Sequence, residues 1–193
     1  MLGLISNRSQ RGFSLIELMI GIAIIAIAMS LGMPSYKAWI QNTRIRNAAE
    51  SIQSGIQLAR GEAVKRNLRV QFDLRGVNSA WTVCVSPAVP GTCPNPDDAS
   101  TIQSRAVGEG SSTAATITAS DALPFVFNSF GVMDSPAPSA ANGLVTIGVD
   151  VSTAVLSAAE SRDLRIVIGV GGSARLCDPA LSTSGTDPRR CPV

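Results

Sequence analysis

The chain has 193 residues and a mass of 20.0 kDa, enough for one modest hydrophobic core and too few for several domains. Its formal charge is only +2, so whole-chain electrostatics gives no support for polyanion binding and any basic site has to be local. Histidine is absent, which removes the commonest general base and the commonest metal ligand. Asp, Ser and Lys are nowhere gathered into a constellation, so the sequence reads as a non-enzyme with no cofactor and no metal site.

From Phe13 to Met33 the chain runs FSLIELMIGIAIIAIAMSLGM, long enough to cross a bilayer as a helix. Arg8 and Arg11 precede it and are expected to keep that end in the cytoplasm, with the polar remainder in the periplasm of a two-membrane bacterium. A secretory signal peptide would end in small residues at a cleavage site after the apolar block. Here Met33, Pro34, Ser35 and Tyr36 follow, and the helical pattern continues beyond them. The one charge inside the block is Glu17. A carboxylate in hydrocarbon is costly and points to a function and a partner, unless it lies close enough to the interface to stay hydrated.

Gly12-Phe13-Ser14-Leu15-Ile16-Glu17-Leu18 resembles the processing motif of type IV pilins and type II secretion pseudopilins, and Pro34 sits where that family commonly places a helix-interrupting proline. The resemblance implies cleavage between Gly12 and Phe13 by a prepilin peptidase, with methylation of the new Phe13 amine. Residues 1–12 would then be a leader, 13–66 a long helix with its membrane-spanning part at 13–34, and 67–193 a periplasmic β-rich domain. Cleavage removes Arg8 and Arg11, leaving 14 basic against 14 acidic side chains. It also sets a free amine four residues from Glu17, which can pair with the Phe13 amine of a neighbouring subunit. Such a desolvated pair contributes chiefly register, since the cost of desolvating both charges offsets their attraction.

Past Pro34, an apolar stripe of Ile45, Ala48, Ala49, Ile52, Ile56, Ala59 and Ala63 recurs every three or four residues. Arg44, Arg46, Glu50, Arg60, Glu62, Lys65 and Arg66 mostly take the other face. The small residues of the stripe suit a helix lying closely on its own sheet better than a coiled-coil partner. Gly32 and Pro34 are expected to loosen or kink the helix, because proline removes a hydrogen bond.

Beyond Arg66 the period becomes two. Leu68, Val70, Phe72 and Leu74 alternate with Arg69, Gln71, Asp73 and Arg75, predicting a half-buried strand. Ala80–Val85 is its expected hairpin partner across Gly76, Val77, Asn78 and Ser79. Further strands are expected at Ala115–Thr118, Pro124–Phe127, Leu144–Val151 and Leu164–Val170, separated by loops such as Gly108–Thr113 and Ser135–Gly143. The fold class is therefore α+β: a long N-terminal helix, membrane-spanning in its first half and amphipathic in its second, packed on a C-terminal antiparallel sheet domain.

One long helix followed only by strands resembles the GspH/FimT branch of the family. Phe127-Asn128-Ser129-Phe130-Gly131 and Ala174-Arg175-Leu176-Cys177-Asp178 are similar to features of that branch. Its members are minor subunits that prime assembly or sit near the filament tip.

Four cysteines fall as two close pairs, Cys84 with Cys93 and Cys177 with Cys191. An even count and a membrane-export segment favour disulfides, and nearest-neighbour pairing is preferred among the three connectivities. Neither pair has the CxxC spacing of a zinc site. Asp97 and Asp98 beside Asn95 lack EF-hand spacing and read as a solvated acidic loop. Gly169-Val170-Gly171-Gly172 lacks the Lys-Ser/Thr of a phosphate loop and reads as a strand end with a tight turn.

A Cys177–Cys191 bridge would bring Arg189 and Arg190 near Arg175, a local basic group able to grip DNA phosphates. DNA receptors of this branch resemble one another in a Gly-Arg-x-Arg element, matched here by Gly172-Ser173-Ala174-Arg175, with serine in place of the first arginine. The functional expectation is a minor pilin of a type IV pilus. The alternatives are a minor pseudopilin of a type II secretion system and a pilus-borne DNA receptor. Implied partners are other pilins or pseudopilins, the prepilin peptidase, an inner-membrane assembly platform and, before assembly, membrane lipid. The chain would start in the inner membrane and end in an extracellular pilus or a periplasmic pseudopilus.

Overall fold

The computed structural model describes residues 12–75, 79–87, 90–106, 115–119, 124–135, 144–182 and 184–192. The expected loop 108–113, most of 135–143, and three of the four hairpin-turn residues (76–78) lie outside them. By its contacts the chain divides into two compact units, residues 1–37 and 38–193.

Helix α1 runs from Leu15 to Arg66 with Pro34 inside it, so proline does not end the helix. In the first unit its apolar side chains, from Leu15 to Met33, are all exposed. In the second unit the stripe from Ile45 to Ala63 is fully buried. Asn67 closes the helix in a left-handed conformation (φ 53°). The Leu68 amide donates back to the Ala63 carbonyl, which satisfies an orphan acceptor of the last turn.

Nine strands follow among the described residues. Five form one antiparallel sheet: β1 (Val70–Leu74), β2 (Trp81–Val85), β3 (Thr101–Arg105), β5 (Phe125–Phe127) and β6 (Met133–Ser135), in the order β3-β2-β1-β5-β6. The other four, β4 (Ala115–Ala119), β7 (Leu144–Val151), β8 (Leu164–Gly169) and β9 (Ala174–Cys177), form a second antiparallel sheet in the order β4-β7-β8-β9. Three of these strands, β3, β6 and β9, have no counterpart among the sequence expectations. One core joins the helix stripe to Phe72, Trp81, Phe125 and Phe127 of the first sheet and to Val145, Ile147, Ile166 and Ile168 of the second. Each such buried side chain contributes about 1.5–3 kcal/mol of transfer free energy.

Strand β1 departs from its expected half-buried character, because all five of its residues are buried. Residues 91–94, tethered to β2 by the Cys84–Cys93 bridge, meet the polar side chains of β1 and of Arg75 after it. Gln71 donates from Nε2 to the Gly91 carbonyl (2.6 Å), and Asp73 Oδ2 accepts the Cys93 amide (3.0 Å). Arg75 donates from Nη2 to the carbonyls of Cys93 and Pro94. Burial raises the Asp73 pKa, opposed by the Cys93 amide and by Arg75.

Candidate functional site

Two regions carry the functional expectations. The first is the head of α1. Gly12 and Phe13 precede the helix, Glu17 lies in its first turn, and Phe13 is 86 % exposed. Glu17 is exposed too, as are Ile16, Ile20 and Ile24 around it. The helix is long and apolar enough to cross a membrane, and its most apolar window buries nothing inside the chain. A surface of this size with no core to face needs lipid or neighbouring protein.

The second region is the C-terminal loop. The structure joins Cys177 to Cys191 and pairs Asp178 with Arg190 in a short parallel bridge beside β9. Arg175, Thr186, Asp187, Pro188, Arg190 and Pro192 line a hollow of about 500 Å³. Arg175 and Arg190 thus share one concavity, whereas Arg189 is not part of its lining. Arg189 donates from Nε and Nη2 to the two Asp187 carboxylate oxygens at 3.1 and 2.8 Å. The Asp187 pKa falls to about 2, mainly through the Arg189 side chain and then the Arg189 amide. Asp187 is therefore ionised at neutral pH and lines the hollow as one half of an ion pair with Arg189. The expected group of three arginines becomes two facing arginines and one ion pair. Asp187, two residues before Arg189, was the signal for this in the sequence.

The remaining candidates resolve into structure. Asp98 accepts the Ser100 amide and hydroxyl, which lower its pKa and make it the cap of a turn. No group of three or more metal-ligating side chains occurs among the described residues. Residues 169–172 form a tight turn closed by the Gly172 amide on the Gly169 carbonyl.

One further assembly was not anticipated. Arg60, expected to be solvated, donates from Nε to the Gly131 carbonyl at 3.1 Å. Gly131 (φ 73°) and Gly172 (φ 74°) are both left-handed, and a Cβ on Gly172 would fall impossibly close to the Gly131 oxygen. Helix, β5–β6 turn and β8–β9 turn meet at this point. The Met133 amide donates to the Val170 carbonyl beside it (3.1 Å).

Comparison with known proteins gives two family matches. The family described as "Type II transport protein GspH" matches residues 48–172, and the "Prokaryotic N-terminal methylation motif" matches residues 7–33. A crystal structure of the type IV minor pilin FimU of Pseudomonas aeruginosa (space group P21) is similar in fold. It has a TM-score of 0.50 at 16 % identity, covering 68 % of this chain and 87 % of that one. The P65 crystal form of FimU gives 0.48 at 17 %, covering 68 % and 90 %. No curated protein sequence matches the chain.

Proposed function

The chain belongs to the GspH family of pilin-like subunits, and from that premise we propose that it is a minor pilin which helps to initiate, or forms part of the tip of, a type IV pilus. The carrying observation is the apolar run of α1, exposed along its length and headed by Gly12, Phe13 and Glu17. Before assembly lipid covers this surface, and in the filament the same surface of neighbouring subunits does. A prepilin peptidase cuts after Gly12 and methylates Phe13. Glu17 pairs with a neighbour's Phe13 amine, and the domain following the helix lies in the periplasm until assembly. An inner-membrane platform performs the extraction.

Intact-mass measurement tests the processing: the mature chain should begin at methylated Phe13, and Gly12→Val should retain the leader. Glu17→Ala should leave processing intact and remove the chain from sheared filaments. Incorporation of Glu17→Ala at the wild-type level refutes the pairing.

The pseudopilin reading differs in destination. Two disulfides favour the pilus, because covalent closure of loops serves a subunit exposed outside the cell. Deleting the gene should remove surface pili and leave exoprotein secretion unchanged, and the reverse result selects the secretion system. DNA capture is supported by Arg175 and Arg190 facing one hollow, and opposed by the charge of Asp187. If DNA binds there, full-length mature chain in detergent loses affinity on Arg175→Ala and Arg190→Ala and gains it on Asp187→Asn. Equal binding by all variants removes this reading.

A further inference from the structure

Strands β7 and β8 run antiparallel, with Gly148 opposite Arg165 and Val149 opposite Leu164. One residue further along the same register, Asp150 stands opposite Asp163, so two carboxyls face each other at the end of the ladder. Like charges set opposite on neighbouring strands are destabilising. Ser161 lies between them, with its Oγ 3.0 Å from Asp150 Oδ1 and 2.7 Å from Asp163 Oδ1. A hydroxyl carries one proton and serves one of these oxygens well. The other contact sets oxygen against oxygen until a carboxyl gains a proton and becomes a donor itself. Ser161 also ties the pair to the helix, because its two neighbours hold the Asn42 side chain of α1. Asn42 Nδ2 donates to the Glu160 carbonyl (3.0 Å), and the Arg162 amide donates to Asn42 Oδ1 (2.9 Å). Residues 160–162 therefore join α1 on one side to the ends of β7 and β8 on the other.

The surrounding charges favour a proton on this pair. Burial raises the Asp163 pKa, the Ser161 hydroxyl opposes that, and Asp150, by hydrogen bond and by charge, and Asp178, by charge, raise it further. On the other side of Asp150, β4 presents Thr116, which carries no charge. Arg165 of β8 lines the same hollow without an ion pair to either carboxylate among the described residues. In the β7–β8 connection, Glu160 accepts the Ser157 hydroxyl (2.7 Å) and Arg162 is exposed. On α1, Arg44 donates to Gln41 and Arg46 pairs with Glu50. The two carboxyls thus face each other and Asp178 with a single hydroxyl proton between them.

We propose that Asp150, Ser161 and Asp163 form a pH-sensitive clasp, in which one shared proton fastens residues 160–162 to the ends of β7 and β8 and, through Asn42, to α1. Loss of that proton sets the two carboxylates against each other and loosens residues 160–162 from the helix. Because the folded pKa of Asp163 is raised, the contribution of the clasp is present below the ordinary 3.8 and is lost as pH rises through the folded value. The clasp belongs to the fold of residues 38–193 and stands whichever filament the chain enters. Two readouts on the mature full-length chain in detergent test it. The Asp163 carboxyl carbon, followed by NMR, should titrate above 3.8. Asp150→Asn turns a repelling neighbour into a donor and should lower that midpoint by about one pH unit. At pH 7 the Arg162 amide should exchange with solvent about tenfold faster in wild type than in Asp150→Asn, and at pH 3 the two should match. Glu160→Gln, which removes a carboxylate outside the pair, should change neither readout. An Asp163 midpoint unmoved by Asp150→Asn, or equal Arg162 exchange at pH 7, overturns the proposal. Slowing of wild-type Arg162 exchange at pH 7 by millimolar calcium chloride also overturns it, by assigning the pair to a metal ion.

Discussion

Replacing Gly172 by alanine tests how the helix and the two sheets are held together. The left-handed backbone costs an L-residue about 1–2 kcal/mol. In addition, the new methyl group would meet the Gly131 carbonyl oxygen and lie 3.2 Å from Arg60 Cδ and Nε. Backbone cannot yield there as a side-chain end would, so the turn moves and the Arg60–Gly131 bond is lost, about 1.5–3 kcal/mol for a charged donor. The expected destabilisation is roughly 3–4 kcal/mol, or on the order of 10 °C in the unfolding midpoint for a chain of this length. Gly171 is the internal control: nothing lies within 4 Å of its Cβ position, and its φ is not left-handed. Gly171→Ala should change stability by less than about 0.5 kcal/mol. Urea unfolding of the full chain in detergent, followed by tryptophan fluorescence, compares the two. A difference below about 1 kcal/mol would refute the account of the junction, and so would additivity of Gly172→Ala with Arg60→Ala, since the two act on one contact.

Ser51 accepts hydrogen bonds from Trp81 Nε1 and Arg105 Nη1, both at 3.0 Å, and Ser51→Ala should cost about 1–3 kcal/mol in the same unfolding assay. Gly55→Val should destabilise by a similar amount or more, because a Cβ there lies 2.7 Å from the Phe72 ring and 2.9 Å from the Trp81 ring. Cys177→Ser with Cys191→Ser should cost about 3 kcal/mol by freeing a loop with a sequence separation of 14, again read from urea midpoints. Asp73 has a folded pKa raised above its ordinary 3.8 by burial, so the folded chain holds the proton more tightly than the unfolded one. Its contribution to stability is present below the ordinary pKa and is lost as pH rises through the folded one. Asp73→Asn should flatten that acid-side fall and leave stability at neutral pH no lower, as measured by unfolding midpoints between pH 3 and 7.

The helix stripe from Ile45 to Ala63 was legible because a 3.6-residue period and small side chains are local properties of the sequence. The β1–β2 hairpin was legible for the same reason, and its register pairs Phe72 with Val83. Burial of Gln71 and Asp73 was not, since their partners come from the backbone of a loop about 20 residues away, and alternation does not encode that loop. Strand β3, Thr-Ile-Gln-Ser-Arg, lies at a sheet edge and has almost no apolar pattern to detect. Strand β9 was visible only as a short family-like element around Arg175 and Cys177. Arg60 looked like an ordinary solvated helix residue because its acceptor exists only where two left-handed glycines meet.

Mechanically, that meeting point is a three-way joint with Arg60 as its pin. Tension entering along the helix reaches the β5–β6 turn directly through Arg60, and the β8–β9 turn through Gly172 and the Met133–Val170 bond. The load does not first have to straighten connections such as residues 152–163. The joint thus ties the helix to a turn of each sheet at one point, so a displacement of Arg60 is felt by both turns at once.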